Sequence, residues 1–154
     1  MPRKVNVIGV GMVPFQKPGK SEEYHVMAVK AGKAALADAN IPYDQVNQAF
    51  AGYVYGDSTC GQRAVYQLGL TGIPVFNVNN NCSTGSSALM LGAQAIASGL
   101  AECVIVVGFE QMEAGTPSVT SCQSRTPGSP SWCAVSKWWG LWGHDRRQSL
   151  QLVV

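Results

Sequence analysis

The chain has 154 residues, enough for one domain, and 46% of them are apolar while only 13% are charged, about half the roughly 25% usual in soluble domains. So little charge implies that part of the surface is meant to be covered. Eleven basic residues against nine acidic ones, with no basic stripe and no aromatic-interleaved run, exclude a nucleic-acid binder.

The apolar run behind Arg3 and Lys4 is short and broken by Gly9 and Gly11, so neither a secretory segment nor a membrane span is expected, and an intracellular location is the default. Val5–Val10 is β-branched and predicts a strand, with the two glycines as its turn. Ser21 is a good N-cap, followed by Glu22 and Glu23, and predicts a helix to about Ala39. Its apolar face carries Tyr24, Met27, Ala28, Ala31 and Ala35, and Asn40 and Pro42 stop it. Gln48–Tyr55 predicts a second strand, Gln62–Leu70 a short helix, Pro74–Val78 a third strand, Thr84–Ser98 an alanine-rich helix and Cys103–Gly108 a fourth, wholly apolar strand. Strands alternating with helices imply right-handed crossovers and a largely parallel sheet with helices packed on it, an α/β fold of βαβαβαβ order. The 38 residues Ala64–Ala101 carry no charge, which predicts elements buried on more than one side.

Composition changes near Thr116. Residues 1–115 hold 7 basic and 8 acidic groups, net −1, whereas residues 116–154 hold 4 and 1, net +3, with seven serines, three prolines and all four tryptophans, Trp132, Trp138, Trp139 and Trp142. The expected division is therefore a half-domain over 1–115 and a tail over 116–154 of different origin, as a frameshifted or alternatively spliced reading would produce. The tryptophans could form an interfacial or partner-binding patch, but they lack helical spacing and a basic face.

Cys60, Cys82, Cys103, Cys122 and Cys133 are odd in number and form no CxxC pair, so single thiols are expected rather than a disulfide framework or a zinc ribbon. Cys122, Cys133 and His144 have ten residues between them each time, which matches no compact metal site. Cys82 stands out. A buried strand runs into Asn79-Asn80-Asn81, the cysteine follows, and the small-residue helix Thr84-Gly85-Ser86-Ser87 starts at once. A thiol placed there meets unpaired backbone N–H groups and the positive end of the helix dipole, which favour thiolate, and the small residues leave room for a substrate. The bland alternative is that Cys82 fills space at a strand–helix junction.

The runs Gly52-Tyr53-Val54-Tyr55-Gly56-Asp57-Ser58-Thr59-Cys60-Gly61-Gln62-Arg63, Gly69, Gly72-Ile73-Pro74 and Val78-Asn79-Asn80-Asn81-Cys82-Ser83-Thr84-Gly85-Ser86 resemble the thiolase family. Within it they resemble the thiolase part of sterol carrier protein X and its bacterial relatives. Val7-Ile8-Gly9-Val10-Gly11-Met12, Ala101-Glu102-Cys103 and Gly108-Phe109-Glu110-Gln111-Met112 fit the same pattern, so the resemblance covers residues 4–114. Gly9-x-Gly11 is no dinucleotide fingerprint, because Pro14 stands where a third glycine belongs.

The resemblance implies a thiolase-like fold, N-terminal half only, and acyl transfer between coenzyme A thioesters with Cys82 as catalytic nucleophile. The position matching Cys82 attacks a 3-oxoacyl-CoA and holds the acyl group until free CoA removes it, a ping-pong scheme. The Cys82 N–H is the expected oxyanion donor. No bound cofactor and no metal are expected. The resemblance further implies a homo-oligomer for the full-length family, and a peroxisomal location in eukaryotes or a cytoplasmic one in bacteria, although Leu152-Val153-Val154 is not an SKL-type ending. The family's histidine base and Gly-His-Pro loop belong to a second half. His25 matches no family motif, Gly143-His144-Asp145 is not that loop, and Cys60 and Cys103 are expected to be packing residues. Little turnover by the chain alone is therefore expected. The alternative is a non-catalytic module that binds acyl-CoA or pairs with other subunits; a cysteine hydrolase lacks its His and Asn partners.

Overall fold

The computed structural model describes residues 3–17 and 19–111 and the backbone of 150–153. Its elements are β1 (Val5–Gly9), α1 (Tyr24–Ala39), a 3₁₀ turn (Tyr43–Gln45), β2 (Gln48–Gly52), α2 (Cys60–Val65), β3 (Val75–Val78), α3 (Thr84–Ser98), β4 (Cys103–Gly108) and β5 (Leu150–Val153). The strands form one sheet in the order β1-β5-β4-β2-β3, with every neighbouring pair parallel. The expected α/β architecture is therefore observed.

The strands are apolar because both faces of the sheet are covered. On β4, Cys103, Ile105 and Val107 join Ala28, Ala35 and Leu36 of α1 and Ala64 and Val65 of α2. The alternate residues Val104 and Val106 join Ala88, Ala95 and Ile96 of α3. On β2, Ala49 and Ala51 face the first layer and Phe50 the second. A strand of period two that is buried on both sides reads as an unbroken apolar run, which is what Cys103–Gly108 is.

Gly9 and Gly11 serve packing more than turning. A Cβ on Gly9 would collide with the Ala35 carbonyl oxygen, and one on Gly11 with the Ala31 carbonyl oxygen, so α1 crosses β1 at backbone contact. The C-terminus of α1 is as expected: Asn40 adopts φ 54° in the left-handed region, and the helix stops there.

Several expectations need correction. Ser21 does not cap α1, which begins at Tyr24 after Glu23, with no side-chain cap from that residue. Its orphan Tyr24 N–H instead donates to Gln111 Oε1 at 3.1 Å, a cap supplied from beyond β4. Glu22 pairs with Lys30, 2.6 Å away. The second strand ends at Gly52 rather than Tyr55, and α2 occupies Cys60–Val65 rather than Gln62–Leu70.

Lack of charge also does not mean burial throughout Ala64–Ala101. Because β3 is the edge strand, Phe76 is 45% exposed, and Leu70 is 82% and Leu100 76% exposed at turns. The boundary expected at residue 115 lies outside the described residues, as do Cys122, Cys133, His144 and the four tryptophans. The tail does contribute β5, which enters the sheet between β1 and β4.

Candidate active site

Three strands finish side by side: Gly52 of β2 is in register with Val78 of β3 and with Gly108 of β4. In a parallel α/β sheet the loops beyond the carboxyl ends of the strands are where ligands bind. The Phe109 N–H donates to the Gly52 carbonyl at 3.0 Å and the Tyr53 N–H to the Val78 carbonyl at 3.3 Å, which binds the roots of these loops together.

The segment after β3 carries Cys82. Its thiol is exposed and lies just ahead of α3, whereas Cys60 and Cys103 are buried, as the sequence reading of both as packing residues expected. Burial alone pushes the Cys103 thiol up to about 11, so it stays protonated and inert at neutral pH. Cys60 lies close to Tyr24 and Tyr53, whose phenols are also pushed upward, first by burial and then by the nearby thiol.

The asparagine run builds the turn. Asn77 Oδ1 accepts from the Gly61 N–H at 2.9 Å and its Nδ2 donates to Gln62 Oε1 at 2.7 Å, which ties β3 to the start of α2. Asn79 Oδ1 accepts from the Asn81 N–H at 3.2 Å, and Asn80 Nδ2 donates to Ser87 Oγ at 2.8 Å. Asn81 itself has φ 50°, a left-handed conformation that asparagine tolerates better than most residues. Its Oδ1 is 3.9 Å from Cys82 Sγ.

Thr84 corrects one expectation. It does not leave room for substrate but is the one buried polar residue among those described, at 5% exposure, with its methyl turned toward Gly52. Gly85 does leave room, since a Cβ there would meet nothing within 4 Å.

The β2–α2 loop is held from across the sheet by Glu110, whose carboxylate accepts from the Val54 N–H at 2.8 Å and from the Tyr55 N–H at 3.3 Å. The sequence placed this residue in the family-like run Gly108-Phe109-Glu110-Gln111-Met112 but gave it no role. Tyr24, Phe109 and Tyr53 stack in sequence beneath the loop, with centroids 5.1 and 5.4 Å apart.

Chemically, the site presents one accessible thiol at the N-terminus of a 15-residue helix, above the strand ends and beside open space. His25 does not join it: it lies in the first turn of α1, with its Nδ1 3.2 Å from Glu23 Oε2. Among the described residues, no histidine, lysine or carboxylate pairs with the Cys82 thiol, and no cluster of His, Cys, Asp and Glu could hold a metal ion. No helix among them is long and apolar enough to cross a membrane.

Comparison with known proteins agrees with this geometry. The family model for the thiolase N-terminal domain matches residues 5–130, running past the change in composition near Thr116. Sterol carrier protein 2 of Oryctolagus cuniculus is 64% identical over 116 residues, 73% of this chain and 21% of its own length. The benzoylsuccinyl-CoA thiolase subunit BbsB of Thauera aromatica is 33% identical over 126 residues, 77% of this chain and 32% of its own. Among solved structures, the acetyl-CoA acetyltransferase of Bacillus anthracis superposes with a TM-score of 0.63 at 19% identity, covering 70% of this chain and 29% of that one. The chain spans about a fifth of the length of the sterol carrier protein relatives.

Proposed function

The chain belongs to the thiolase family, and on that premise we propose that it carries the acyl-accepting part of a thiolase-type acyltransferase site, with Cys82 as the nucleophile and coenzyme A thioesters as substrates. The observation that carries this reading is the exposed Cys82 thiol, set by a hydrogen-bonded turn at the start of α3, with open space at Gly85.

The chemistry is thioester exchange. Cys82 Sγ gives up its proton and bonds to the thioester carbonyl carbon; the bond from that carbon to the CoA sulfur breaks, and the departing CoA thiolate takes a proton. With a 3-oxoacyl-CoA the same sulfur bonds to C3, the C2–C3 bond breaks, and C2 takes a proton as the shortened CoA ester leaves. Neither route needs an oxidant or a reductant. The Ser83 and Thr84 N–H groups are engaged by the Asn80 and Asn81 carbonyls, and the Cys82 N–H is the donor assigned to the oxygen that becomes negative in each addition. Among the described residues no base pairs with Cys82, so a residue outside them has to supply it, and the chain alone is expected to acylate once and turn over little. Lipid acyl groups are the substrate class suggested by the sterol carrier protein relatives.

The lack of a base beside Cys82 among the described residues favours a second reading, a module that binds acyl-CoA or pairs with other subunits without chemistry. Acetoacetyl-CoA and mass spectrometry of the full chain separate the two. One acetyl group on Cys82, absent in Cys82→Ala, supports the nucleophile; acyl-CoA binding that survives Cys82→Ala, with no adduct on the unsubstituted chain, refutes it.

A further inference from the structure

We propose that Thr84 is the positioning residue of the Cys82 turn, its hydroxyl holding the nucleophile in place; the assignment rests on the reading of Cys82 as acyl acceptor. Thr84 Oγ1 accepts from the Asn80 N–H at 2.7 Å and donates to the Asn81 carbonyl at 2.6 Å. One hydroxyl therefore closes the backbone on both sides of the Asn80–Asn81 peptide, directly ahead of Cys82.

The turn needs this closure because Asn81 sits at φ 50°, a left-handed conformation that relaxes unless its neighbours are held. The closure is anchored to the sheet. A Cβ on Gly52 would come within 2.9 Å of Thr84 Cγ2, so the methyl packs where β2 ends while the hydroxyl faces the turn. The two halves of this side chain thus do separable work. The methyl fixes α3 against β2, and the hydroxyl transmits that position to Asn80, Asn81 and Cys82.

Ser83, the N-cap of α3, does not substitute for it. Its Oγ donates to the Asn80 carbonyl at 2.9 Å and accepts no N–H from the helix as a cap would. Without the Thr84 hydroxyl, the Asn80 N–H loses its acceptor, and the turn is left to the backbone bonds from the Ser83 N–H to the Asn80 carbonyl and from the Thr84 N–H to the Asn81 carbonyl, both 3.1 Å, which hold the thiol less firmly at the start of α3.

The test compares Thr84→Val, which keeps the shape and loses the hydroxyl, with Thr84→Ser, which keeps the hydroxyl and loses the methyl. In the full chain, single-turnover transfer of an acyl group from acetoacetyl-CoA to Cys82 is expected to fall roughly ten- to a hundredfold in Thr84→Val and to return to within about threefold of the unsubstituted rate in Thr84→Ser. Thr84→Ser is nevertheless expected to have the lower thermal midpoint of the two hydroxyl-bearing proteins, having lost the methyl. A merely structural role predicts that transfer follows the thermal midpoint across the three proteins, and that order overturns the proposal. So does an undiminished rate in Thr84→Val.

If the unsubstituted chain accepts no acyl group, the nucleophile reading fails, and Asn80 amide hydrogen exchange then decides the Thr84 assignment by itself. Protection retained in Thr84→Ser and lost about tenfold in Thr84→Val sustains it; equal exchange in all three proteins overturns it.

Discussion

Alkaline pH should destabilise this chain through Cys103. The residue opens β4 at 4% exposure, packed in the layer that contains Ala28, Leu36 and Val65. Burial raises its thiol from 9.0 to about 11. The unfolded chain therefore gives up this proton near pH 9, while the folded chain keeps it for two more pH units. The stabilisation is fully present below pH 9, is lost progressively as pH rises toward 11, and then levels off. At about 1.4 kcal/mol per unit the loss is about 3 kcal/mol, a large share of the roughly 5–15 kcal/mol that holds an ordinary domain together.

Urea denaturation from pH 7 to 11 at constant ionic strength, on the chain and on Cys103→Ala, measures it. Cys103→Ala starts lower because it loses a buried sulfur, so the quantity of interest is the change with pH. Tyr24, Tyr43 and Tyr53 are also raised, chiefly by burial, and act in the same direction above pH 10. They are present in both proteins and cancel in the difference. The gap between the two stability curves should narrow by about 3 kcal/mol between pH 9 and 11. Parallel curves would mean that the Cys103 proton is held no more tightly in the fold than out of it, and the reasoning would fail.

Two further outcomes follow from the backbone. At Asn81, φ 50°, glycine should be nearly neutral, since relief of strain offsets its greater freedom in the unfolded chain, while Asn81→Val should cost about 1–2 kcal/mol. Equal urea midpoints for the two variants would deny the left-handed conformation. A stop after Ser149 removes β5, the strand that joins β1 to the sheet among the described residues, and amides of Val5–Gly9 should then exchange faster while those of Gln48–Gly52 keep their protection. Unchanged exchange in β1 would place its hydrogen bonds elsewhere.

Much of the fold was legible because its signals are local. The apolar runs at Val5 and Cys103, the alanine-rich period of Thr84–Ser98 and the stop at Asn40 each depend on residues a few positions apart, and each element forms close to where those patterns put it. Cys82 was legible for the same reason, since a strand end, a polar turn and a helix start adjoin it in sequence.

What the sequence left open depends on partners brought together from far along the chain. The cap of α1 comes from Gln111, the clamp on the 53–59 loop from Glu110, and Gly9 and Gly11 are glycines because α1 passes over them. No periodicity signals such pairings. Thr84 shows the division within one residue: its place at the start of a helix is local, but that its methyl meets Gly52 while its hydroxyl closes the Cys82 turn was decided by α3 packing against β2. The sequence by itself determined which segments become strands and helices and which thiol stands at a helix start, because those follow from neighbouring side chains. Tertiary structure alone decided the strand order, the entry of β5 and the company Cys82 keeps, because those follow from packing.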